Sequence, residues 1–154
     1  MARKTNRLYT IGYEQTRAQA VLDELEQAGV KLLVDVRAIA SSRRPGFSKS
    51  QLAAGLGERG ISYVHLRGLG TPKEGRIAAR SGDIATLQRI YAKHLTTPQA
   101  REELDELSAL VKTSGPVCVL CYERDHTHCH RRWIAEVIED RNGVAIENLA
   151  AKQA

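Results

Sequence analysis

The sequence is poor in cysteine and aromatic residues and has no long apolar run. It contains three cysteines, one methionine, one tryptophan and one phenylalanine among 154 residues. The odd cysteine count argues against a disulfide framework and favours a reducing compartment, and the segment from Arg3 to Asn6 is too polar for a secretory signal. No apolar run approaches the roughly 18 residues that cross a membrane. We therefore expect a cytoplasmic protein without a membrane partner, whose thiols are available for chemistry.

Repeats, low-complexity tracts and linkers are also missing from the sequence. Its length matches the roughly 100 to 200 residues of one domain, and 42% hydrophobic with 27% charged residues is an ordinary globular composition. We expect a single α/β domain over residues 1–154, with a core over 8–149 and short polar tails.

A strong net charge is absent as well. The value of +5 is too small to identify a nucleic-acid binder. Between Lys31 and Arg80, however, ten Lys or Arg residues face three Asp or Glu residues. This local excess favours an anionic ligand, and a solvated basic surface is the alternative.

What is present is a regular alternation of strand-like and helix-like patterns. Five apolar runs predict strands at residues 8–12, 31–34, 61–64, 117–120 and 144–146. Helical periodicity between them gives the order β-α-β-α-β-α-α-β-α-β. Parallel strands need such helical crossovers, so we predict a mainly parallel five-stranded sheet with helices on both faces. A partial barrel of the same units is the alternative.

Capping signals predict where the helices begin. Thr16 with Gln19, and Ser48 with Gln51, have the spacing of capping boxes, and Thr97 precedes a proline at the first position of a helix. The last helix is predicted from about Cys129 to Arg141. Residues 67–82 contain several glycines and are predicted to form a mobile lid.

Residues capable of chemistry follow the strands. In a parallel sheet the carboxyl ends of the strands meet at one edge, where ligands bind. We expect Tyr13, Arg37, His65, Cys121 and Arg131 to line one pocket there. The hypothesis of a single site, and the enzyme hypothesis in the form that uses all five residues, depend on His65 and Cys121 sharing it.

The most informative local sequence is residues 117–132, VCVLCYERDHTHCHRR. A strand delivers Cys121 to the sheet edge, and Cys129 falls at the predicted start of a helix, where the dipole and neighbouring arginines favour a thiolate. Both are candidate nucleophiles, with Glu123 and His128 as candidate acid/base groups. Zinc ligation by these cysteines and the nearby histidines is an alternative, but the spacing does not match a standard finger, so we predict no metal.

Two further segments offer binding groups. Asp35 and Arg37 form either a structural ion pair or an acid/base group beside an anion clamp. In the following loop, Arg43, Arg44 and Phe47 suit phosphate contact and base stacking. The alternative for Phe47 is a hydrophobic staple onto the next helix.

Five motifs together resemble a known family. They are Thr10-Ile11-Gly12-Tyr13, Asp35-Val36-Arg37, the segment from Ser42 to Phe47, Tyr63-Val64-His65-Leu66 with Leu69-Gly70, and Leu120-Cys121-Tyr122-Glu123 with His128-Cys129-His130-Arg131. Over roughly residues 9–149 this set resembles the widespread prokaryotic family of domain of unknown function 488. The resemblance brings no reaction with it. Many members have a histidine where Tyr13 stands here, which argues against a mechanism that needs an imidazole at this position.

The leading hypothesis is an enzyme that acts on a small anionic substrate, phosphate-bearing or nucleotide-like, without a cofactor, as a thiol-dependent transferase or hydrolase. The candidate substrate-binding residues are Tyr13, Arg37, Arg43, Arg44, Phe47 and Arg131. The candidate catalytic residues are Cys121, Cys129, Asp35, His65, Glu123 and His128. The alternatives are a nucleic-acid-binding module without catalysis and a zinc-stabilised domain. No pattern indicates the oligomeric state.

Overall fold

The computed structural model describes residues 7–153, and the segment Arg3–Asn6 lies outside them. Five parallel strands form one open sheet in the order β3-β2-β4-β1-β5, as the sequence predicts. The strands are β1 (Arg7–Gly12), β2 (Leu32–Asp35), β3 (Ser62–His65), β4 (Val117–Cys121) and β5 (Ala145–Ala150). The central strands β2 and β4 are buried along their whole length and the edge strands β3 and β5 are partly exposed, which explains why β2 and β4 read as continuous apolar runs.

Six helices cover the two faces of this sheet. They are α1 (Ala18–Gln27), α2 (Lys49–Gly57), α3 (Lys73–Arg80), α4 (Ile84–His94), α5 (Pro98–Thr113) and α6 (Arg131–Asn142). Helices α1 and α2 pack on the face that includes Leu33 and Leu120. The other four pack on the opposite face, which includes Val34 and Val119. Because all five strands are parallel, the loops that follow them lie at one edge of the sheet, between the two helical layers.

The predicted mobile lid is wrong for residues 67–82. This segment forms a short 3-10 helix (Arg67–Leu69) and then α3, a helix that the sequence pattern missed. Its backbone is held from outside: the Tyr91 hydroxyl donates to the Leu69 carbonyl at 2.7 Å, and the Gly68 amide donates to the Glu103 carboxylate at 2.8 Å. Gly70 serves close packing and not flexibility, because a Cβ there would overlap the backbone of Ala38.

Two of the four predicted helix starts differ from the structure, those of α1 and α6, and a third, that of α2, lacks the predicted side-chain cap. The Thr16 hydroxyl donates to the Tyr13 carbonyl and does not cap α1, which begins after Arg17. Ser48 is the N-cap residue of α2, but its side chain bonds Ser42 instead of the helix amides. Only Thr97 caps as predicted, accepting from the Ala100 amide at 3.3 Å. Helix α6 begins at Arg131, two residues later than expected.

Residues 7–153 contain no helix that combines the length and apolar character needed to span a membrane.

Candidate functional site

A cavity of about 420 Å³ lies at the carboxyl ends of β1, β2 and β4. Six of the twelve candidate site residues line it, namely Tyr13, Arg37, Cys121, Glu123, His128 and Cys129. The other six do not, namely Asp35, His65, Arg43, Arg44, Phe47 and Arg131. The structure therefore brings together only three of the five residues expected in one pocket, Tyr13, Arg37 and Cys121.

Cys121 and Cys129 are joined by a disulfide, with Cα atoms 7.4 Å apart. The expectation of free thiols in both is therefore wrong. The odd count excluded a framework of several bridges but not one local pair, and the loop between the two cysteines turns back through Asp125, whose carboxylate accepts from the Thr127 amide at 2.9 Å. Cys129 is in extended backbone before α6, so it lacks the place in the first helical turn on which its predicted reactivity depended.

His130 is the histidine whose ring lies next to the two cysteine sulfurs. Its Nε2 lies 2.8 Å from the Val36 carbonyl oxygen, and its Nδ1 lies 3.6 Å from the Cys129 sulfur. Because a carbonyl only accepts, Nε2 carries the proton and Nδ1 presents its lone pair to the sulfur. Burial lowers the pKa of His130 to about 4, so the ring is neutral at pH 7. Sequence reasoning saw His130 only as one of three neighbouring histidines.

Arg131 lies beneath the cysteine pair and is 1% exposed. Its guanidinium donates to the Cys121 sulfur at 3.1 Å, to Thr10 Oγ1 at 3.2 Å, and to the carbonyls of Glu123 and Arg124. Within residues 7–153, no carboxylate lies at ion-pair distance from it. Burial lowers the pKa of Arg131 to about 10, so it remains a cation at neutral pH. Its hydrogen bonds therefore go to a sulfur atom and to neutral groups, while the charges of Glu123 and Asp125 act on the guanidinium from beyond ion-pair distance.

Gly12, the last residue of β1, makes room for this arrangement. A Cβ at this position would overlap the Glu123 carbonyl oxygen that accepts from Arg131. The Thr10-Ile11-Gly12-Tyr13 motif thus contains a positioning glycine that no local pattern distinguishes from an ordinary strand end.

Arg37 has a different environment, although it also reaches the cavity. Two of its guanidinium nitrogens bind Asp35, at 2.9 and 2.7 Å, and the third donates to the Tyr13 hydroxyl and the Phe47 carbonyl. Burial alone would lower the pKa of Arg37, but the hydrogen bonds and charge of Asp35 outweigh burial and raise it. The Tyr63 hydroxyl also donates to Asp35, at 2.6 Å. Of the two alternatives for this pair, the structure favours the structural ion pair.

The remaining candidates have structural contacts. Phe47 is 1% exposed and stacks on Tyr13 with ring centroids 4.4 Å apart, so its ring cannot stack on a base. Phe47 also belongs to the same buried cluster as Leu52 of α2, which favours the alternative of a hydrophobic staple onto that helix. Arg44 donates to the Thr16 carbonyl, and Arg43 is exposed outside the cavity.

His65 lies away from the cysteine pair. It is opposite Asp35 in the β2–β3 register, and its Nε2 lies 2.7 Å from the Arg37 carbonyl oxygen. Its neighbour Val64 packs in the same core as Cys121, so strand alternation places His65 on the other face. The single pocket that included His65 is therefore wrong, and the site is narrower than expected.

Sequence reasoning missed two arginines of the cavity. Arg76 and Arg80 come from α3, four residues apart, and both line the cavity. Arg76 donates to the Thr71 carbonyl at 2.8 Å, and Arg80 has no ion-pair partner within the described residues. The i, i+4 spacing of two arginines could have indicated a shared helix face, but only after α3 itself was predicted.

Comparison with curated proteins and with solved structures gave no match. A family model, Domain of unknown function DUF488, matches residues 17–138, which is most of the chain. The two cysteines, His130 and Arg131 all lie inside the matched range. The protein belongs to the DUF488 family.

Proposed function

We propose that this protein is an enzyme that acts on a small anionic substrate, phosphate-bearing or nucleotide-like, bound in the cavity at the sheet edge. The observation that carries the proposal is the lining of that cavity, where the arginines of α3 border the same space as Cys121 and Cys129. A volume of about 420 Å³ lies within the roughly 300 to 1,000 Å³ of small-molecule sites.

Substrate binding is assigned to Arg76 and Arg80. Arg76 uses one guanidinium nitrogen on a backbone carbonyl, and neither side chain has an ion pair within residues 7–153. Their remaining N–H groups match the oxygens of a phosphate or carboxylate. They replace Arg37, whose donors are already used by Asp35, Tyr13 and Phe47.

The reaction is assigned to the cysteine pair in its reduced state, as a thiol-dependent transfer or hydrolysis. Reduction of the disulfide takes two electrons and two protons from two molecules of a low-molecular-weight thiol, which form a disulfide with each other. The contact of Arg131 with the Cys121 sulfur, at 3.1 Å, stabilises negative charge on that atom. Glu123, which also lines the cavity, is positioned to accept or return a proton.

Binding of inorganic phosphate and of adenosine monophosphate to the reduced full-length chain tests the anion site. Arg80→Gln should weaken the affinity by about tenfold or more, since a charge-assisted hydrogen bond contributes roughly 1.5 to 3 kcal/mol. Arg89 is an exposed residue of α4 that does not line the cavity. Arg89→Gln removes the same charge as Arg80→Gln and should leave the affinity nearly unchanged. Calorimetric titration measures both, and equal losses in the two variants would reduce the effect to general electrostatics and refute the site.

Catalysis is tested with a panel of phosphate esters and nucleotides. Turnover should appear with the reduced protein, and it should be lost after oxidation and in Cys121→Ser. Turnover that is the same in the reduced and oxidised protein would contradict a role for the thiols.

A further inference from the structure

The ligand atoms of Cys121, Cys129 and His130 all lie within 4.8 Å of one another, and all three residues are buried. We propose that, after reduction of the disulfide, these three residues hold one divalent metal ion of the zinc type, with a fourth coordination position directed to the cavity. This inference deepens the proposed function, on which it rests for the position of the reactive centre. In this form the two thiolates bind the ion, and the dependence of turnover on the reduced cysteines arises from their binding of the ion.

The imidazole has the orientation of a metal ligand. Nδ1 faces the Cys129 sulfur at 3.6 Å while Nε2 donates to the Val36 carbonyl at 2.8 Å. Histidines that bind metals usually donate their second ring N–H in this way, which holds the ring in place. With Zn–S near 2.3 Å and Zn–N near 2.0 to 2.1 Å, two ligands of a tetrahedral ion are about 3.6 Å apart. The distance between Nδ1 and the Cys129 sulfur already has this value.

The two sulfurs must separate for the ion to enter. Two thiolates of a tetrahedral zinc ion lie about 3.8 Å apart, and the Cα separation of 7.4 Å leaves room for that arrangement. Two molecules of a low-molecular-weight thiol break the protein disulfide by thiol–disulfide exchange: they supply two electrons and two protons and become joined in a disulfide themselves. The metal ion then displaces the two thiol protons, which pass to solvent, so no further oxidant or reductant is needed.

Charge balance indicates what the fourth ligand is. Two thiolates neutralise a divalent ion, and His130 adds no charge, so the positive charge of Arg131 at 3.1 Å from the Cys121 sulfur remains. The groups that touch Arg131, apart from Cys121, are a hydroxyl and two carbonyls. This residual charge favours an anionic fourth ligand, which is a hydroxide or an oxygen of the anionic substrate. Three protein ligands and one open position are the arrangement of a catalytic zinc site.

The sequence spacing did not suggest this set. Positions 121, 129 and 130 contain no paired knuckle, and three histidines within five residues could not converge on one ion. In the structure only His130 converges on the cysteines, while His128 lies 3.6 Å from the Asp125 carboxylate on the surface.

Titration with cobalt(II) alone, under anaerobic conditions and after reduction with a phosphine, tests the proposal. We expect one cobalt ion per chain, with thiolate-to-cobalt charge-transfer absorption and the intense visible bands of tetrahedral cobalt, both removed by added zinc. X-ray absorption of the zinc form should show two sulfur neighbours. The disulfide form of the same protein is the matched control and should bind no cobalt. Cobalt binding without sulfur ligation, or equal binding in both redox states, would overturn the proposal.

Substitutions separate the ligands from their neighbours. Cys129→Ser and His130→Gln should weaken cobalt binding by more than the roughly 10- to 100-fold that loss of a second-shell partner costs. Cys118→Ala removes the buried free thiol, and His126→Gln changes another histidine of the same loop, and both should retain full affinity. Far-ultraviolet circular dichroism checks that each variant is folded. Equal losses in ligand and control variants would refute the assignment.

The experiments distinguish failure of the metal site from failure of the proposed anion-binding function. Arg80→Gln should lose phosphate affinity and keep cobalt binding. A reduced protein that binds phosphate through Arg80 but takes up no cobalt would overturn the metal site alone.

Discussion

The cavity region contains two buried arginines, and their partners differ. Arg37 is 5% exposed and forms a two-point ion pair with Asp35, itself fully buried. Arg131 is 1% exposed and donates to a sulfur, a hydroxyl and two carbonyls, with no carboxylate within ion-pair distance among residues 7–153. Both lie beside the same strand ends, yet only one has its charge neutralised by a carboxylate.

This difference separates the structural role of Arg37 from the role that we propose for Arg131 beside the cysteine pair. A carboxylate neutralises the charge of a buried cation. Arg37, neutralised in this way by Asp35, also donates hydrogen bonds to the Tyr13 hydroxyl and the Phe47 carbonyl, which holds their loops in place. A buried cation without a carboxylate is costly unless another negative group faces it. Among the atoms that accept hydrogen bonds from Arg131, the Cys121 sulfur is the one that can carry a full negative charge after reduction, which is why the proposed function places the reaction there.

The largest expected effect comes from breaking the compensated pair. Arg37→Ala leaves the Asp35 carboxylate buried without its cation, which should lower the free energy of unfolding by roughly 3 to 5 kcal/mol. Arg131→Met should cost less, about 1 to 3 kcal/mol, because it strands only neutral acceptors. Urea denaturation of the oxidised protein measures both.

Two controls sharpen this contrast. Arg43→Ala removes an exposed arginine of the following loop and should change stability by no more than about 0.5 kcal/mol. Asp35→Asn combined with Arg37→Ala should recover part of the loss, since no buried charge remains. If Arg37→Ala is as stable as Arg43→Ala, the ion pair does not stabilise the fold, and the result would favour the alternative in which Arg37 binds an anion.

A smaller effect is expected from displacing the acceptor that holds Arg131. Gly12→Ala places a Cβ against the Glu123 carbonyl and should destabilise the fold by about 1 to 3 kcal/mol through overpacking. It should also shift the guanidinium away from Cys121. Gly57→Ala is the matched control, because a Cβ there meets nothing within 4 Å and the position ends helix α2. Thermal unfolding of the two variants decides the point, and equal melting temperatures would contradict the packing role of Gly12.

The smallest effect concerns the three thiols of the reduced protein. All three cysteines are buried, but Cys121 and Cys129 line the cavity, whereas Cys118 lies in the opposite core, where burial raises the pKa of its thiol. A small alkylating reagent near neutral pH should modify Cys121 or Cys129 before Cys118, by about tenfold in rate, which corresponds to 1.4 kcal/mol. Peptide mass mapping identifies the first site. First modification of Cys118 would show that the cavity does not expose the other two sulfurs.

The comparison also shows why local patterns misread both arginines. Strand alternation correctly places Arg37 beside Asp35, but it does not reveal that Tyr13 and Phe47 take the remaining donors. Sequence reasoning interprets Arg131 as one of the arginines that favour a thiolate at Cys129, at the predicted start of the last helix. The helix in fact begins at Arg131 itself, and the contact of its guanidinium with Cys121 spans ten residues.

The sequence by itself determined the parallel α/β sheet and the edge at which the site lies. Short apolar runs and the helical runs between them are local properties, and parallel connections between them leave few topologies. Thr97 with its following proline likewise acts on its own helix. Such features are visible without coordinates because each depends on residues close together in the chain.

Only the tertiary structure decided which candidates share the site. Alternation placed His65 on the face away from Cys121, α3 brought Arg80 to the cavity, and a loop turn brought Cys129 and His130 to the end of β4. Each outcome depends on packing between segments distant in sequence, or on a loop whose path follows from that packing. Residue spacing cannot report such distances, because the energy that sets them comes from contacts that exist only in the folded chain.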